Sequence, residues 1–462
     1  RVSNIMSGIS FAGEYEILEL SIHASSGNIF PLEPKTLTIN LYESIFNNTV
    51  TGDILILDTD NLVMNLPIIG QEYLSFKIRT PTLEKEEIDY TKHLMSVYKV
   101  GSRIPNQKSE AVILHFCSPE ILSSKRTRVS KSYTDTVDNI VLDLLESPKF
   151  ANTSKNIFIE GTKGIKKIVS PNKTPYGLIS DLGANSISSV NNSPNYVFFE
   201  NTKGIHFRTL ESLYSQPSIG DFMLSDNADV SFSEGGVMNV QEELKGIKSY
   251  QISGNNDTML NIESGMLASK TIEYDIFQKR YDVQHHNYFD DFNKQKRVSG
   301  TNPLYNEVPV DNNQKTMGEY FDAKIFLHPT SKNIAGNDAQ HDGSFEPNNL
   351  TKTIQSRIAK EMELTSGIKV IMAINGTTTL HIGAIIDIQV PIVGKNHSDD
   401  EYDLYNSGKF LITKLRHIFT KSGDQSKHEI MMTAIKDSIS IELPKNSKQA
   451  TPINSGCDIT FV

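Results

Sequence analysis

The chain has 462 residues, of which 38% are hydrophobic and 22% are charged, and its formal net charge at pH 7 is −10. This length exceeds that of one ordinary domain, and the apolar share excludes a wholly disordered protein. The acidic balance argues against tight nucleic-acid binding, because such binding depends on clustered Lys and Arg. We therefore expect several folded domains and no site that grips DNA.

Cysteine usage and hydropathy exclude two further classes of protein. The two cysteines, Cys117 and Cys457, lie far apart without a CxxC motif or histidines at ligand spacing, so neither a disulfide framework nor a structural zinc site is expected. The first residues contain no signal-peptide core, and no stretch reaches the length of a membrane span. We expect a soluble chain that is made in a reducing cytoplasm and does not insert into a membrane.

Residues 1–124 carry the pattern of short β-strands. A continuous apolar run at 54–57 and two segments at 96–100 and 111–116 have the composition of strands. In three other segments apolar residues alternate with polar ones, and the apolar positions are Leu18, Leu20 and Ile22; Leu37, Ile39 and Leu41; and Leu74, Phe76 and Ile78. Many short strands between Gly, Pro and Asn turns predict an antiparallel barrel or sandwich.

Residues 125–214 change to a mixed α/β pattern. Five apolar residues recur at helical spacing between Val137 and Leu145, with Thr134 or Asp135 in position to cap the helix. A second helix is predicted from Pro175, capped by the residue before it, Thr174. A β-hairpin then joins residues 196–199 to 205–210 through the turn 201–204, whose glycine can take the left-handed conformation.

The last part of the chain returns to strands, interrupted by a polar stretch. Strands are predicted at 221–224 and 246–274, and four more at 368–374, 382–390, 410–419 and 428–435. Residues 278–347 are rich in Asn, Asp, Gln, Tyr, His and Gly, so we expect an insertion that lies outside any barrel core and that can be deleted. A helix follows, with Ile354, Ile358 and Met362 on one face and Thr351 or Thr353 as its cap.

Histidines in the polar stretch offer the best candidate for a metal site. His285 and His286 precede Asp290 and Asp291, and His328 and His341 follow. Adjacent residues of an extended chain point to opposite sides, and the spacing fits no zinc motif. A solvated insertion is the favoured interpretation, with metal binding near His285 and His286 as the alternative.

Other patterns that resemble functional motifs have simpler interpretations. The acidic run 398–403 lacks the alternation and central glycine of an EF-hand loop, and the segments 161–164 and 202–204 fit hairpin turns better than phosphate loops. A basic cluster at 125–131 fits a solvated linker or a contact for an acidic neighbour. The GxSxG, P-loop, GxGxxG and SxxK motifs are absent from the sequence. We therefore predict no catalytic, cofactor-binding or metal-binding residue and no enzymatic activity.

Three segments resemble the baseplate hub proteins of contractile-tail (myovirus) phages. The segment 41–46, continuing through Gly52-Asp53 to 65–72, resembles the first tube-like domain of that family. The segment 198–210 is similar to the hairpin of its middle domain. The segments 380–391, 408–417 and 434–437 are similar to the closing strands of its second tube-like domain, which is shared with the hubs of type VI secretion spikes. Together they cover about half of the chain, in the family's order.

The resemblance implies a mainly β, α+β fold with two tail-tube-like antiparallel β-barrel domains, a mixed α/β middle domain and a polar insertion. The expected units are a first barrel at 1–124, a middle domain at 125–214, the start of the second barrel at 215–277, the insertion at 278–350, the rest of the second barrel at 351–445 and a flexible tail at 446–462. The family usually has Gly-Asp where this chain has Gly383-Ala384.

The function implied by the resemblance is structural. A homotrimer would form a pseudo-sixfold ring that joins the hexameric tail tube to the trimeric central spike and leaves a channel for DNA. Its partners would be the spike protein, tail tube or tube-adaptor proteins and baseplate wedge proteins, in a virion tail baseplate assembled in the host cytoplasm. The alternatives are a tail-associated cell-wall or polysaccharide hydrolase and a receptor-binding adhesin.

Overall fold

The computed structural model describes residues 11–443, with gaps at 26, 67, 82–85, 107, 225–239, 255–256, 277–278, 308, 310–314, 331–349, 393–401 and 423–424. Cys457 and His341 therefore lie outside the described residues, as do most of the acidic run at 398–403 and the predicted tail. The residue boundaries of the predicted units stay a prediction.

Residues 16–117 build an antiparallel sheet that curves around its own core, and we call this unit the first barrel. Its elements are β1 (Glu16–His23), β2 (Ile29–Pro31), β3 (Thr36–Ser44), β4 (Thr51–Asp58), α1 (Leu62–Asn65), β5 (Tyr73–Arg79), β6 (Ile88–Asp89), β7 (Met95–Pro105) and β8 (Glu110–Cys117), with a short 3-10 turn at Glu33–Lys35. The strand order is β2-β1-β5-β7-β8-β4-β3, and β6 pairs with β5. Alternate side chains such as Ile22, Ile54 and Phe76 are completely buried inside, as the period-2 pattern predicts.

Two β-bulges displace the predicted alternation. The register of β1 against β5 shifts between Ile17 and Glu19, and that of β3 against β4 shifts between Thr36 and Thr38. Leu18 and Leu37, which the pattern assigned to the core, are instead exposed. A bulge inserts one extra residue into a strand, so every side chain before it changes face.

The middle of the chain forms small sheets covered by helices. Its elements are α2 (Pro119–Arg126), β9 (Ser132–Thr136), α3 (Val137–Glu146), β10 (Ile157–Ile159), β11 (Ile165–Val169), α4 (Pro175–Ala184), β12 (Tyr196–Asn201), β13 (Gly204–Thr209) and α5 (Leu210–Tyr214). The apolar faces of α3 and α4 share one core with β12 and β13. Both predicted helices and the hairpin are confirmed.

Helix caps in this part follow the prediction in one case and not in the other. The Thr174 side chain accepts a hydrogen bond from the backbone N–H of Gly177 at the start of α4. The predicted cap of α3 is wrong, because Thr134 and Asp135 pair with β11 as part of β9, and the helix begins only after Thr136.

The rest of the chain forms a second barrel with a smaller sheet beside it. Its elements are β14 (Ser218–Leu224), α6 (Val240–Lys245), β15 (Gly246–Gly254), α7 (Thr258–Ser264), β16 (Ala268–Asp275), β17 (Arg280–Asn287), α8 (Tyr288–Phe292), β18 (Ile325–Thr330), α9 (Leu350–Ser366), β19 (Ile368–Asn375), β20 (Ile385–Gln389), β21 (Gly408–Ser422) and β22 (Gln425–Lys436), with 3-10 turns at Met317–Glu319 and Phe321–Ala323. Six of these strands close into a barrel in the order β21-β20-β14-β15-β19-β22, with β22 returning to β21. Strand β14 runs parallel to both of its neighbours, and the other pairings of this barrel are antiparallel.

Two predictions in this part are corrected. The segment 246–274 is not one strand run, because α7 separates β15 from β16. Thr351 and Thr353 lie inside α9 and do not cap it, since the helix already begins at Leu350.

The polar stretch contributes to the cores more than its composition predicts. Its strands β17 and β18 flank β16 in a separate sheet, but Val298 and Leu304 pack in the core of the second barrel. Tyr288 and Phe292 are also buried, in a cluster with Ala359 of α9. The expectation that this stretch lies wholly outside the barrels is therefore wrong, because a few large apolar residues are enough to anchor a polar segment.

A buried cluster of four charges fixes the same stretch to the barrel. Arg297 bonds Glu363 of α9 at 2.6 Å, and Lys360 bonds Asp437, just after β22, at 2.8 Å. All four side chains are at most 8% exposed. Burial alone would raise the pKa of Asp437, but Lys360 and Arg297 hold it below its usual value, so the carboxylate stays charged.

Breaking this cluster should destabilise the second barrel. Replacing Arg297 with Met should lower the free energy of unfolding by about 3–5 kcal/mol, because it leaves an excess of buried carboxylates without their partner. Urea denaturation measures the change, with Lys294→Met as control because Lys294 is 69% exposed. Equal denaturation midpoints for the two variants would contradict this account.

Candidate assembly site: the junction of the two barrels

One strand, β21, belongs to both barrels. Its residues Gly408 to Leu411 pair with β20 of the second barrel, and Lys414 to Thr420 pair with β3 of the first. A register shift between Ile412 and Lys414 separates the two parts. The two barrels are therefore joined through hydrogen-bonded strands in one 14-stranded sheet, and not through a flexible linker.

The hairpin of β21 and β22 also helps to close the first barrel. Phe419 of β21 packs in the core of that barrel. The His428 backbone N–H donates to the Gly13 carbonyl at 2.7 Å, and the Ser426 hydroxyl donates to the Tyr15 carbonyl at 2.8 Å. Each barrel thus depends on strands that the other also uses, so their relative orientation is fixed.

Glu43 connects three parts of the chain from the inner side of β3. Its Oε1 accepts a hydrogen bond from the Thr202 N–H at 2.8 Å, and its Oε2 accepts one from the Ile382 N–H at 3.0 Å. The side chain is buried, and burial raises its pKa to about 7 against the opposing effect of those two N–H groups. This carboxylate joins the first barrel to the middle hairpin and to the segment that enters β20.

A second buried cluster holds the middle part against the first barrel. The Lys155 ammonium lies 2.6 Å from Glu200 and 2.9 Å from Glu120, and the Ser118 hydroxyl donates to Glu200 at 2.7 Å. The Val50 N–H, between β3 and β4 of the first barrel, also donates to Glu200, at 3.2 Å. Burial alone would lower the pKa of Lys155, but the two carboxylates raise it. The ammonium therefore stays charged, and the cluster behaves as a fixed structural contact.

Packing explains why this chain has Gly383-Ala384 where the phage hub family usually has Gly-Asp. Gly383 has a φ of +79°, and a Cβ there would lie 2.9 Å from the Phe199 ring. Ala384 is only 2% exposed and lies in the core of the second barrel. An aspartate at 384 would bury a carboxylate among apolar side chains, which is costly without a partner.

Two histidines meet in the interior where the β21–β22 hairpin approaches the first barrel. His417 Nδ1 lies 3.0 Å from His428 Nε2, and both side chains are completely buried. Burial, and then the nearby His381, lowers the pKa of His417 to about 3. Burial likewise holds the pKa of His428 well below its usual value. Both rings are therefore neutral in the folded protein near neutral pH.

The residues singled out for metal binding do not converge in the structure. His286 is buried with its Nδ1 2.9 Å from Asp291, whereas His285, its neighbour on β17, is exposed and stacks on Phe321. The two side chains lie on opposite faces of the strand, and His328 lies on β18. Across the residues that the structure describes, no group of three or more His, Cys, Asp or Glu side chains is placed to hold a metal ion.

The other segments that resemble functional motifs lie in turns and at the surface. The segment 161–164 connects β10 to β11, and residues 202 and 203 form the turn of the β12–β13 hairpin. In the basic cluster, Lys131 forms an exposed ion pair with Asp143. No helix in the described ranges combines the length and the apolar character needed to cross a bilayer.

Comparison with known proteins identifies relatives in phage tails. No family model matches the chain. A curated protein, the probable baseplate hub protein gp334 of Vibrio phage KVP40, is 22% identical over 402 residues, which cover 84% of this chain and 87% of the phage protein. The resemblance to phage baseplate hub proteins, predicted from three sequence segments, is confirmed.

Two solved structures share the fold. A tail protein from Neisseria meningitidis MC58 superposes with a TM-score of 0.53 at 9% identity, covering 92% of this chain and 98% of that protein. The 43 kDa tail protein of prophage MuSo2 from Shewanella oneidensis has a TM-score of 0.50 at 10% identity, covering 91% and 98% of the two chains. The predicted fold class, mainly β with tube-like barrels, is confirmed.

The buried histidine pair should make stability depend on pH. In the unfolded chain His417 takes up a proton below about pH 6.5, whereas in the folded protein it does so only near pH 3, so stability is complete above pH 6.5 and falls as the pH decreases toward 3. One such histidine contributes roughly 1.4 kcal/mol per pH unit in that window. The variant His417→Gln should therefore lose less stability than the parent between pH 6.5 and pH 4.

Urea denaturation at a series of pH values measures the two slopes. His93→Gln serves as control, because His93 lies near the surface, where its ring bonds the Ser154 hydroxyl, and it should keep the slope of the parent. Parallel curves for the parent and for His417→Gln would show that the pair is not neutral in the folded protein.

Proposed function

We propose that this chain is a structural baseplate hub subunit of a contractile phage tail. Three copies form a ring in which the two barrels of each copy occupy six similar positions. The observation that carries the proposal is the fusion of two barrels through β21, in a chain similar over most of its length to a probable baseplate hub protein.

Symmetry gives the physical reason for such a chain. A ring of identical subunits closes through repeated head-to-tail contacts, and three subunits give threefold symmetry. Because each subunit supplies two barrels, the same ring presents six similar surfaces. A hub of this kind joins a trimeric central spike on one side to a hexameric tail tube, or a tube adaptor, on the other. Wedge proteins of the baseplate would contact its rim, in a particle assembled in the host cytoplasm.

The rigid junction of the two barrels suits a baseplate subunit that transmits force and keeps its partners in a fixed orientation. The shared strand, the carboxylate of Glu43 and the cluster around Lys155 hold both barrels and the middle part in one arrangement. Ile54 and Ile56 of the first barrel and Ile386 and Ile388 of the second are buried beneath the shared sheet, which we assign to the ring wall.

The outer surface of that sheet is polar and mixed in charge. Asn40 donates to Asp53 at 2.8 Å and accepts from Arg416 at 3.0 Å, and Tyr42 donates to the same carboxylate at 2.8 Å. Arg416 and Asp53 both bond the Asn40 side chain, and their opposite charges leave little net charge along this strip. If this strip lines the channel, DNA passes over it without being bound.

The segment at 61–65 is available for a contact between subunits. Leu62 and Val63 are buried in the first barrel, whereas the next residue, Met64, is 73% exposed. An exposed methionine held by two buried neighbours is a defined apolar contact point. We therefore propose that this segment reaches a neighbouring copy.

Assembly is the property to test first. Light scattering on the purified chain should give a particle of three times the subunit mass of 51.6 kDa, or, after mixing with its spike protein, a larger particle that contains three copies of the chain. A strictly monomeric particle in both samples, even at high concentration, would show that the hub proposal is wrong.

The hydrolase alternative can be tested on the same particles. Asp221 and Asp387 face each other on β14 and β20, and burial and then Asp221 raise the pKa of Asp387, which makes them the carboxylate pair to test. Incubation with peptidoglycan and with host polysaccharide should release no product. Turnover that disappears in Asp387→Asn would favour the hydrolase over the structural role, and a monomer that binds host polysaccharide would favour the adhesin.

A further inference from the structure

The small sheet β17-β16-β18 exposes an apolar face. Its register places Ile272 opposite both Val283 and Leu327, Tyr274 opposite Tyr281, and Ile325 beside Lys270. Directly opposed residues lie on one side of a sheet. The apolar sheet face therefore comprises Ile272, Tyr274, Tyr281, Val283, Ile325 and Leu327. Tyr281 is 73% exposed and Leu327 is 70% exposed.

On the central strand β16, the opposite face of the sheet is polar and buried. Thr271, Glu273 and Asp275 alternate with the apolar positions of β16 and are at most 4% exposed. Helix α9 covers this side, where the Gln355 side chain donates to the Thr271 hydroxyl at 2.6 Å. A half-buried sheet normally turns its apolar face inward and its polar face to water. Here the arrangement is reversed, so the apolar face is built for contact with another surface.

The size of the face fits a protein interface. Aromatic side chains bury about 150–250 Å² each when covered and aliphatic ones somewhat less, so the exposed parts of the six together leave roughly 600 Å² accessible. That area is at the upper end of about 300–600 Å² for the largest apolar patch of a typical monomer, a patch that often has a function, and a standard interface needs about 800 Å² from each partner. The margins of the face can supply the remainder.

The chemistry of the face fits a permanent interface. Charge is confined to its edge, where Lys270 is paired with Asp322 at 3.1 Å, and His285 stacks on Phe321. An apolar centre without charges is typical of contacts between copies of one chain, which form once and stay formed. A second copy of the chain is always present at the concentration of the chain itself, so it is available to cover the face.

We propose that the apolar sheet face is covered by a neighbouring copy of this chain. This inference rests on the proposed trimer and adds the surface that holds it together. In a ring with threefold symmetry each copy presents the face once, so the contact repeats three times. Two strands of the small sheet, β17 and β18, lie in the stretch that composition assigned to a solvated insertion, and the sheet then supplies the subunit interface.

A charge placed on this face should dissociate the assembly. Leu327→Lys and Tyr281→Asp should each raise at least tenfold the concentration at which half of the subunits are dissociated, measured by light scattering over a dilution series. Val169→Lys is the matched control, because Val169 is also a strand residue, on β11, and is 76% exposed. It should leave that concentration unchanged.

The outcomes separate the interface from the trimer. A trimeric parent with both face variants equally trimeric would overturn the interface while leaving the hub proposal intact. A monomeric parent under all conditions would overturn the trimer itself. Intact trimers that lose binding to the spike protein would assign the face to the spike and overturn this inference.

A labelling experiment covers the case in which the charged variants misfold. Leu327→Cys and Val169→Cys, each with Cys457→Ser, report solvent access through reaction with a thiol reagent, since Cys117 is buried. In the assembled state Leu327→Cys should react at least tenfold more slowly than after dilution to monomers, and Val169→Cys should react equally in both. Equal rates for Leu327→Cys would contradict the proposed contact.

Discussion

Strand β21 pairs with strands of both barrels, so one register must bury the correct side chains in each, and the rest of the structure depends on that requirement. Its first residues complete the ladder of β20, and its later residues complete that of β3. A slip of one residue in either part would turn the buried side chains of that part of β21 away from the barrel core. The register shift after Ile412 allows the strand to leave one barrel and enter the other without this conflict.

Buried polar groups further fix the positions of the two barrels and the middle part that β21 connects. Glu43, Lys155 and the four charges around Arg297 each join segments distant in sequence, and each is satisfied by partners within about 3 Å. Such groups add little net stability compared with apolar side chains, but any other arrangement would leave a charge buried alone. For the proposed hub, which would align a spike with a tube, this selection of one geometry matters more than overall stability.

Local patterns in the sequence predict most of the strands and helices but not how they pair. Alternation identifies β5, and helical spacing identifies α3, because both signals lie within a few neighbouring residues. The pairing of β3 with β21 joins residues 370 or more positions apart, and no local pattern in the sequence indicates it. The bulges at Leu18 and Leu37 are missed for the same reason, since the partner strand creates them. The polar stretch is misjudged because average composition hides single anchors such as Val298. The exposed apolar side of β16, outside that stretch, is missed because a sequence does not show that α9 covers the opposite side.

Rotational symmetry is the most direct test of the central claim. Electron microscopy of the purified assembly, viewed down its axis, should show a closed ring with a central hole, three identical units and six similar densities. A compact particle without a hole, or a ring whose units do not repeat threefold, would contradict the account.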